Sequence, residues 1–334
     1  MKMSPAGKDV TEMDTEVKRS RSLKLWHGIV ALIVSAVLIF IAAPYIFAPL
    51  GIWGSLLGEW LLVVVCIAVI RFAKADVRDI FPLKTPRVVN SIGVVMMWIG
   101  VMLLEMALLC VIAVFFPEQF FGVQSGMQDQ FMGIPLGMLV LVVAVTPAIC
   151  EEVLFRGVFL NSLERGGWWK NRWISVVICG LVFGMFHGDW IRMIPTAIAG
   201  IVMSYLLLET GNLFYNCLFH FVNNLFSVLS VYFVQQIFSQ LPPELNQGTE
   251  LLESTQMPLA TVGLYVFLSA AAPACIYIGN YLMHSKAAGY RKKLFPSKRA
   301  DIVITLIAVS GILFLSGLVI MIYGMFVSPP ILSL

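Results

Sequence analysis

Stretches of about 20 mostly apolar residues recur along the whole chain, each long enough to cross about 30 Å of hydrocarbon as a helix. That repetition decides the solvent. Of the 334 residues 59% are hydrophobic and 12% charged, and the mean hydropathy is +0.90. A soluble domain of this length cannot hide so much apolar surface, so the bilayer must take the place of water. The runs fall near 27–48, 54–72, 89–116, 135–158, 173–187, 191–209, 213–238, 259–283 and 302–327. All are expected to be helical, because a closed barrel would not show such long unbroken runs. The expected fold is all-α, a polytopic transmembrane bundle of about eight to nine helices. Residues 1–25 read as a polar cytoplasmic tail and 26–334 as a single transmembrane domain. The tail has no short apolar region followed by a small-residue cleavage site, so no removable signal peptide is expected.

Lysine and arginine orient the bundle. Six lie in the tail, five between Arg71 and Arg87, and six between Lys286 and Arg299. Arg156, Arg165, Lys170 and Arg172 follow the fourth run. With nine crossings, 21 of the 22 basic residues face one side, and only Arg192 lies opposite. The connections "FPEQFFGVQSGMQDQF" and "SQLPPELNQGTELLESTQMP" hold acids and no base. The N-terminus is therefore expected inside and the C-terminus outside. Runs five and six are short, and a hairpin that dips in without crossing would leave seven crossings and the same parity. The net charge of +3 is small and dispersed, so no nucleic-acid partner is expected.

Six cysteines, at 66, 110, 150, 179, 217 and 275, all fall in apolar runs without C-x-x-C spacing and read as buried small hydrophobes. Ionisable groups inside the runs are functional candidates by default. They are Glu105, Glu151, Glu152, His187 and His220, with Arg156 near a cytoplasmic end. Glu59 and Glu209 are expected at span ends within reach of water, and His27 and His284 at the interface.

In "CEEVLFRGVF", Glu152 and Arg156 are i and i+4 with the acid N-terminal, the favoured order for an ion pair. Glu151 is rotated about 100° away and is left to face a cavity. Pro147 removes a backbone donor, so the Val143 carbonyl loses its helical partner and the helix is expected to bend. "FGMFH" places Phe183 and His187 on one helical face, and Gly180 and Gly184 form a small-x-x-x-small surface. "HFVNN" places His220 and Asn224 on one face, again one turn apart. A carboxylate, two imidazoles and an amide on three helices make a water-activating and oxyanion-binding set. A packing histidine and a structural ion pair are the plainer alternatives, but each such group adds to the cost of membrane insertion.

These three motifs, in this order, resemble the E-E-x-x-x-R, F-x-x-x-H and H-x-x-x-N motifs of the CPBP intramembrane protease family. That family is also called the ABI or CAAX-protease-like family. The resemblance spans roughly 135–238 and implies a four-helix catalytic core of a glutamate-dependent peptidase. It implies that Glu151 and His187 activate water, that His220 and Asn224 stabilise the oxyanion, and that Glu152 and Arg156 hold the dyad in place. The implied substrate is a peptide or protein with a membrane-proximal segment, and the implied location is a multi-pass position in a bacterial plasma membrane. Glu105 has no role in the motifs.

Glu151, His187 and His220 would supply a His₂Glu zinc set with one open position. No H-E-x-x-H motif is present, and the glutamate–histidine water mechanism needs no ion, so no metal is favoured. A cysteine nucleophile at Cys150 is disfavoured by the adjacent Glu151 charge. Two other functions compete. A non-proteolytic scaffold or immunity protein would use the cavity only to bind a partner. A secondary transporter would show internal repeats, and none is evident.

Overall fold

The apolar runs are helical throughout the computed structural model, which describes residues 23–165, 171–240, 256–285, 290, 293–296 and 299–327. No strand occurs among the described residues. Eight helices are long and apolar enough to cross a membrane. They are α1 (Leu25–Leu50), α2 (Ile52–Ala73), α3 (Val88–Phe115), α5 (Leu136–Arg165), α7 (Trp190–Thr210), α8 (Leu213–Ser239), α9 (Leu259–His284) and α10 (Ala300–Val327). Two helices of intermediate length, α4 (Pro117–Phe131) and α6 (Arg172–Met185), and a single turn at Val77–Ile80 lie between them. The chain is an all-α, multi-pass integral membrane protein.

Two expectations change. The 173–187 run folds as α6, whose 14 residues span about 21 Å, short of the hydrocarbon thickness. The odd parity of nine crossings therefore depends on this short helix and its flanking turn. The polar connection 116–131 folds as a helix, α4, opened by Pro117 in its first turn, where a missing N–H costs nothing. The basic tail and the 239–258 connection lie outside the described residues, apart from 23–25, 239–240 and 256–258.

The chain divides into two compact units. The first comprises residues up to 84, 145–183 and 200–217. Its centre is the C-terminal half of α5, where Leu154, Phe155, Val158 and Leu160 are fully or almost fully buried. Helix α6 lies against α7 because Gly180 and Gly200 face each other. A Cβ on Gly200 would stand 2.9 Å from Gly180 Cα and 3.0 Å from a Phe183 ring carbon. Asn212 ties the chain before α3 to the start of α8. It accepts from the Lys84 amide at 3.1 Å and donates to the Lys84 carbonyl at 2.9 Å. The adjacent Gly211 has φ +54°, a left-handed turn that suits glycine.

The second unit comprises 85–144, 184–199 and 218 onward. Helices α3 and α9 approach to backbone contact at Gly93 and Gly279, where a Cβ on Gly279 would meet Gly93 O at 2.6 Å. Helices α9 and α10 meet in the same way at Gly263, Gly317 and Gly324. With no water to expel between helices, such close van der Waals packing supplies the cohesion.

Helix α5 is irregular where the motif lies. It widens into π-helix over Val140–Val145, returns to α over Thr146–Glu152, and widens again over Val153–Leu160. The first widening stands just before Pro147, which cannot donate within the helix. Carbonyls left by the second are taken by Asn161. Its Nδ2 donates to Gly157 O at 2.8 Å, Arg156 O at 3.2 Å and Ile80 O at 3.3 Å.

Candidate active site

Of the two adjacent glutamates, Glu152 is committed to the fold. Its carboxylate accepts a hydrogen bond from Arg156 Nη1 at 2.8 Å, and both side chains have 0% exposure. Arg156 Nη2 donates to Gly200 O at 3.0 Å, which ties α5 to α7. The guanidinium carbon also stands 4.4 Å from the centre of the Phe183 ring. Phe183 in turn packs edge-on against Phe155, 5.0 Å between centroids, and Cys179 Sγ donates to Phe155 O at 3.5 Å. The pair expected from i,i+4 spacing is present, and two further partners complete the surroundings of the arginine.

Glu151, one residue earlier, is half-buried and turned about 100° from Glu152. Cys150 beside it is fully buried, which removes the thiol as an accessible nucleophile. Glu59 is half-buried two turns inside α2, and so is not the water-exposed end-group expected from the sequence. Its Oε2 is inaccessible and has no hydrogen-bond partner, because residue 59 lies on the face of α2 that packs against α5. Glu209 pairs with Arg172 near the ends of α7 and α6.

In the second unit, helix α6 ends at Met185, so His187 is not on the helix. It lies in a turn closed by its own amide donating to Gly184 O at 3.1 Å. Its side chain is half-buried. The tight approach of α7 at Gly184, where a Cβ would meet the Ala197 side chain at 2.7 Å, precedes this turn. Asp189 caps α7, accepting from the amides of Ile191 at 2.7 Å and Arg192 at 3.2 Å. Asp189 is thus accounted for by the fold.

His220 is on α8 with 3% exposure. One turn later Asn224 Nδ2 donates to Val143 O at 3.1 Å. This is the carbonyl that Pro147 leaves without a helical donor. Asn223 accepts from Trp98 Nε1 at 3.2 Å, so the two neighbouring amides are held by two different helices. Glu105, on α3, is 5% exposed, and its Oε1 has no hydrogen-bond partner.

Sequence reasoning did not find Phe183 as the cover of Arg156, the Gly200 carbonyl as its acceptor, or the inaccessible carboxylate oxygen of Glu59. Only Phe183 carried a signal, as the first residue of "FGMFH". Among the described residues, no three His, Cys, Asp or Glu side chains are gathered closely enough to hold a metal ion.

Residues 134–226 match a family model described as Rce1-like, Type II CAAX prenyl endopeptidase Rce1-like. The match covers all three motifs and agrees with the CPBP, or CAAX-protease, resemblance carried by them. Comparisons with curated proteins and with solved structures find no match.

Proposed function

We infer that this membrane protein, whose segment 134–226 is of the Rce1-like protease kind, is an intramembrane endopeptidase acting on a membrane-associated peptide or protein tail. The observation that carries the reading is the division between the two adjacent glutamates. Glu152 is sealed in an ion pair, while Glu151 is half-buried and directed elsewhere. A structural role alone would need only one acid for Arg156.

In this reading Glu151, His187, His220 and Asn224 share one water-accessible cavity within a core of about 135–238. Glu151 takes a proton from a water that His187 orients, and the water oxygen bonds to the peptide carbonyl carbon. His220 and Asn224 donate to the resulting oxyanion. When the C–N bond breaks, the proton held by Glu151 passes to the leaving amine. No step requires a metal. Glu152 and Arg156 fix the helix from which Glu151 projects, and in this reading the N-terminus is cytoplasmic, which the distribution of basic residues supports. The scaffold or immunity reading gains no observation of its own.

The test is Glu151→Gln, which is nearly isosteric and removes the base. Peptide cleavage by the purified protein should fall by about 10²–10⁴-fold while folding is unchanged. An active variant would sink the mechanism, and partner binding without cleavage in the wild type would favour the scaffold.

A further inference from the structure

The Asn224–Val143 hydrogen bond has a chemical sense that the motif does not carry. Position 147 is proline, so Val143 O has no i+4 donor. The side-chain amide of Asn224 supplies one at 3.1 Å. An amide has an accepting end and a donating end of nearly the same shape, and nothing in an apolar helix bundle otherwise distinguishes them. Against Val143 O the choice is forced, because the flipped amide would set two acceptors against each other. Asn223, the preceding residue, is fixed in the opposite sense, its oxygen toward Trp98 Nε1.

We propose that the Val143 carbonyl, released by Pro147, is the positioning group that orients Asn224, so that its nitrogen end, with one N–H held and the second still available, serves as the donor. This rests on the reading of Asn224 as an oxyanion donor. It adds Pro147 and Val143 as residues that act through it. The Val140–Val145 π-helix belongs to the same device, since it widens the helix where that carbonyl must turn toward α8.

Pro147→Ala tests this. It restores an N–H that competes for Val143 O within α5, and because it repairs the helix ladder it should fold at least as well as the wild type. Peptide turnover should fall by about 10–100-fold with KM within about twofold, a loss of the kind seen when an oxyanion donor is misdirected. In an Asn224→Ala background the same substitution should cost nothing more. Equal losses in both backgrounds, or no loss in either, would mean that Pro147 only shapes the helix, and the proposal falls. A second readout is independent of catalysis. With selective ¹⁵N-asparagine labelling, the two side-chain protons of Asn224 should have well-separated shifts, and Pro147→Ala should draw them together. An unmoved pair overturns the proposal. If the pair responds but the wild-type protein cleaves no peptide, the orienting bond stands and the peptidase reading fails.

Discussion

Arg156 and Glu152 meet at 2.8 Å with neither side chain exposed, one turn apart on the same helix. A buried pair of this kind contributes little net stability over an apolar pair of equal size, but leaving one member alone is costly. In the peptidase reading its value is that it fixes where the neighbouring Glu151 projects.

Glu152→Ala should therefore lower stability by about 3–5 kcal/mol, because it strands Arg156. Activity should fall in step with the melting temperature, and replacing both partners by apolar residues should recover part of the stability. A Glu152→Ala protein that melts normally but is inactive would show that the roles of the two glutamates are exchanged or shared.

Arg156→Lys keeps the charge but not the fork. A single ammonium cannot reach both Glu152 and Gly200 O in the geometry that Nη1 and Nη2 achieve. The expected loss is about 1–3 kcal/mol, the cost of one unsatisfied buried partner, read from thermal melting in detergent. An unchanged melting temperature would mean that the Gly200 contact carries no weight.

Gly200→Ala places a methyl at 2.9–3.0 Å from Gly180 and Phe183. Helices α6 and α7 must separate, and Phe183 must leave Arg156. A loss of about 1–3 kcal/mol is expected from the overpacking, with a larger fractional drop in activity than at a site remote from Arg156. Gly126→Ala, which meets nothing within 4 Å, is the control and should melt as the wild type does.

Orientation is read by labelling. Gln124 and Arg78 are both exposed, on the two sides that the distribution of basic residues assigns to outside and inside. An impermeant thiol reagent applied to intact cells should modify Gln124→Cys and spare Arg78→Cys. The reverse pattern would overturn the topology.

Peptide cleavage should survive strong chelators and should not rise with added zinc, since a water activated by Glu151 and His187 needs no ion. Loss on chelation with recovery on zinc would require Glu151 and the histidines to act as ligands instead.

The apolar runs and the i,i+4 pair were legible because both follow directly from helix geometry. The free Val143 carbonyl was legible too, since it follows from proline chemistry alone, but its partner on a distant helix was not. His187 was placed on α6 by its spacing from Phe183. The helix instead stops at Met185, and the chain turns through His187 and Gly188, whose φ of +71° ends the helical conformation. Helix α4 did carry a signal, since Phe120, Val123, Met127 and Phe131 share one helical face, but the stretch reads as a polar connection because it is too polar to cross a membrane. Glu59 was misjudged because its distance from a span end says nothing about which neighbour covers it. The two π-helical stretches have no periodic signature, as each shifts the helical phase within a uniformly apolar run.

The pairing of Arg156 within its own helix has a consequence for biosynthesis. Ribosomal synthesis delivers Arg156 to the membrane 44 residues ahead of Gly200, and the Phe183 ring also arrives later. If the only acid partner were on a later helix, the cation would have to enter the bilayer alone, at about 2.5–3.5 kcal/mol against insertion. Glu152 has already been made when Arg156 leaves the ribosome, so the two enter together as a neutral unit. The later helices then close around a charge pair that the membrane has already admitted.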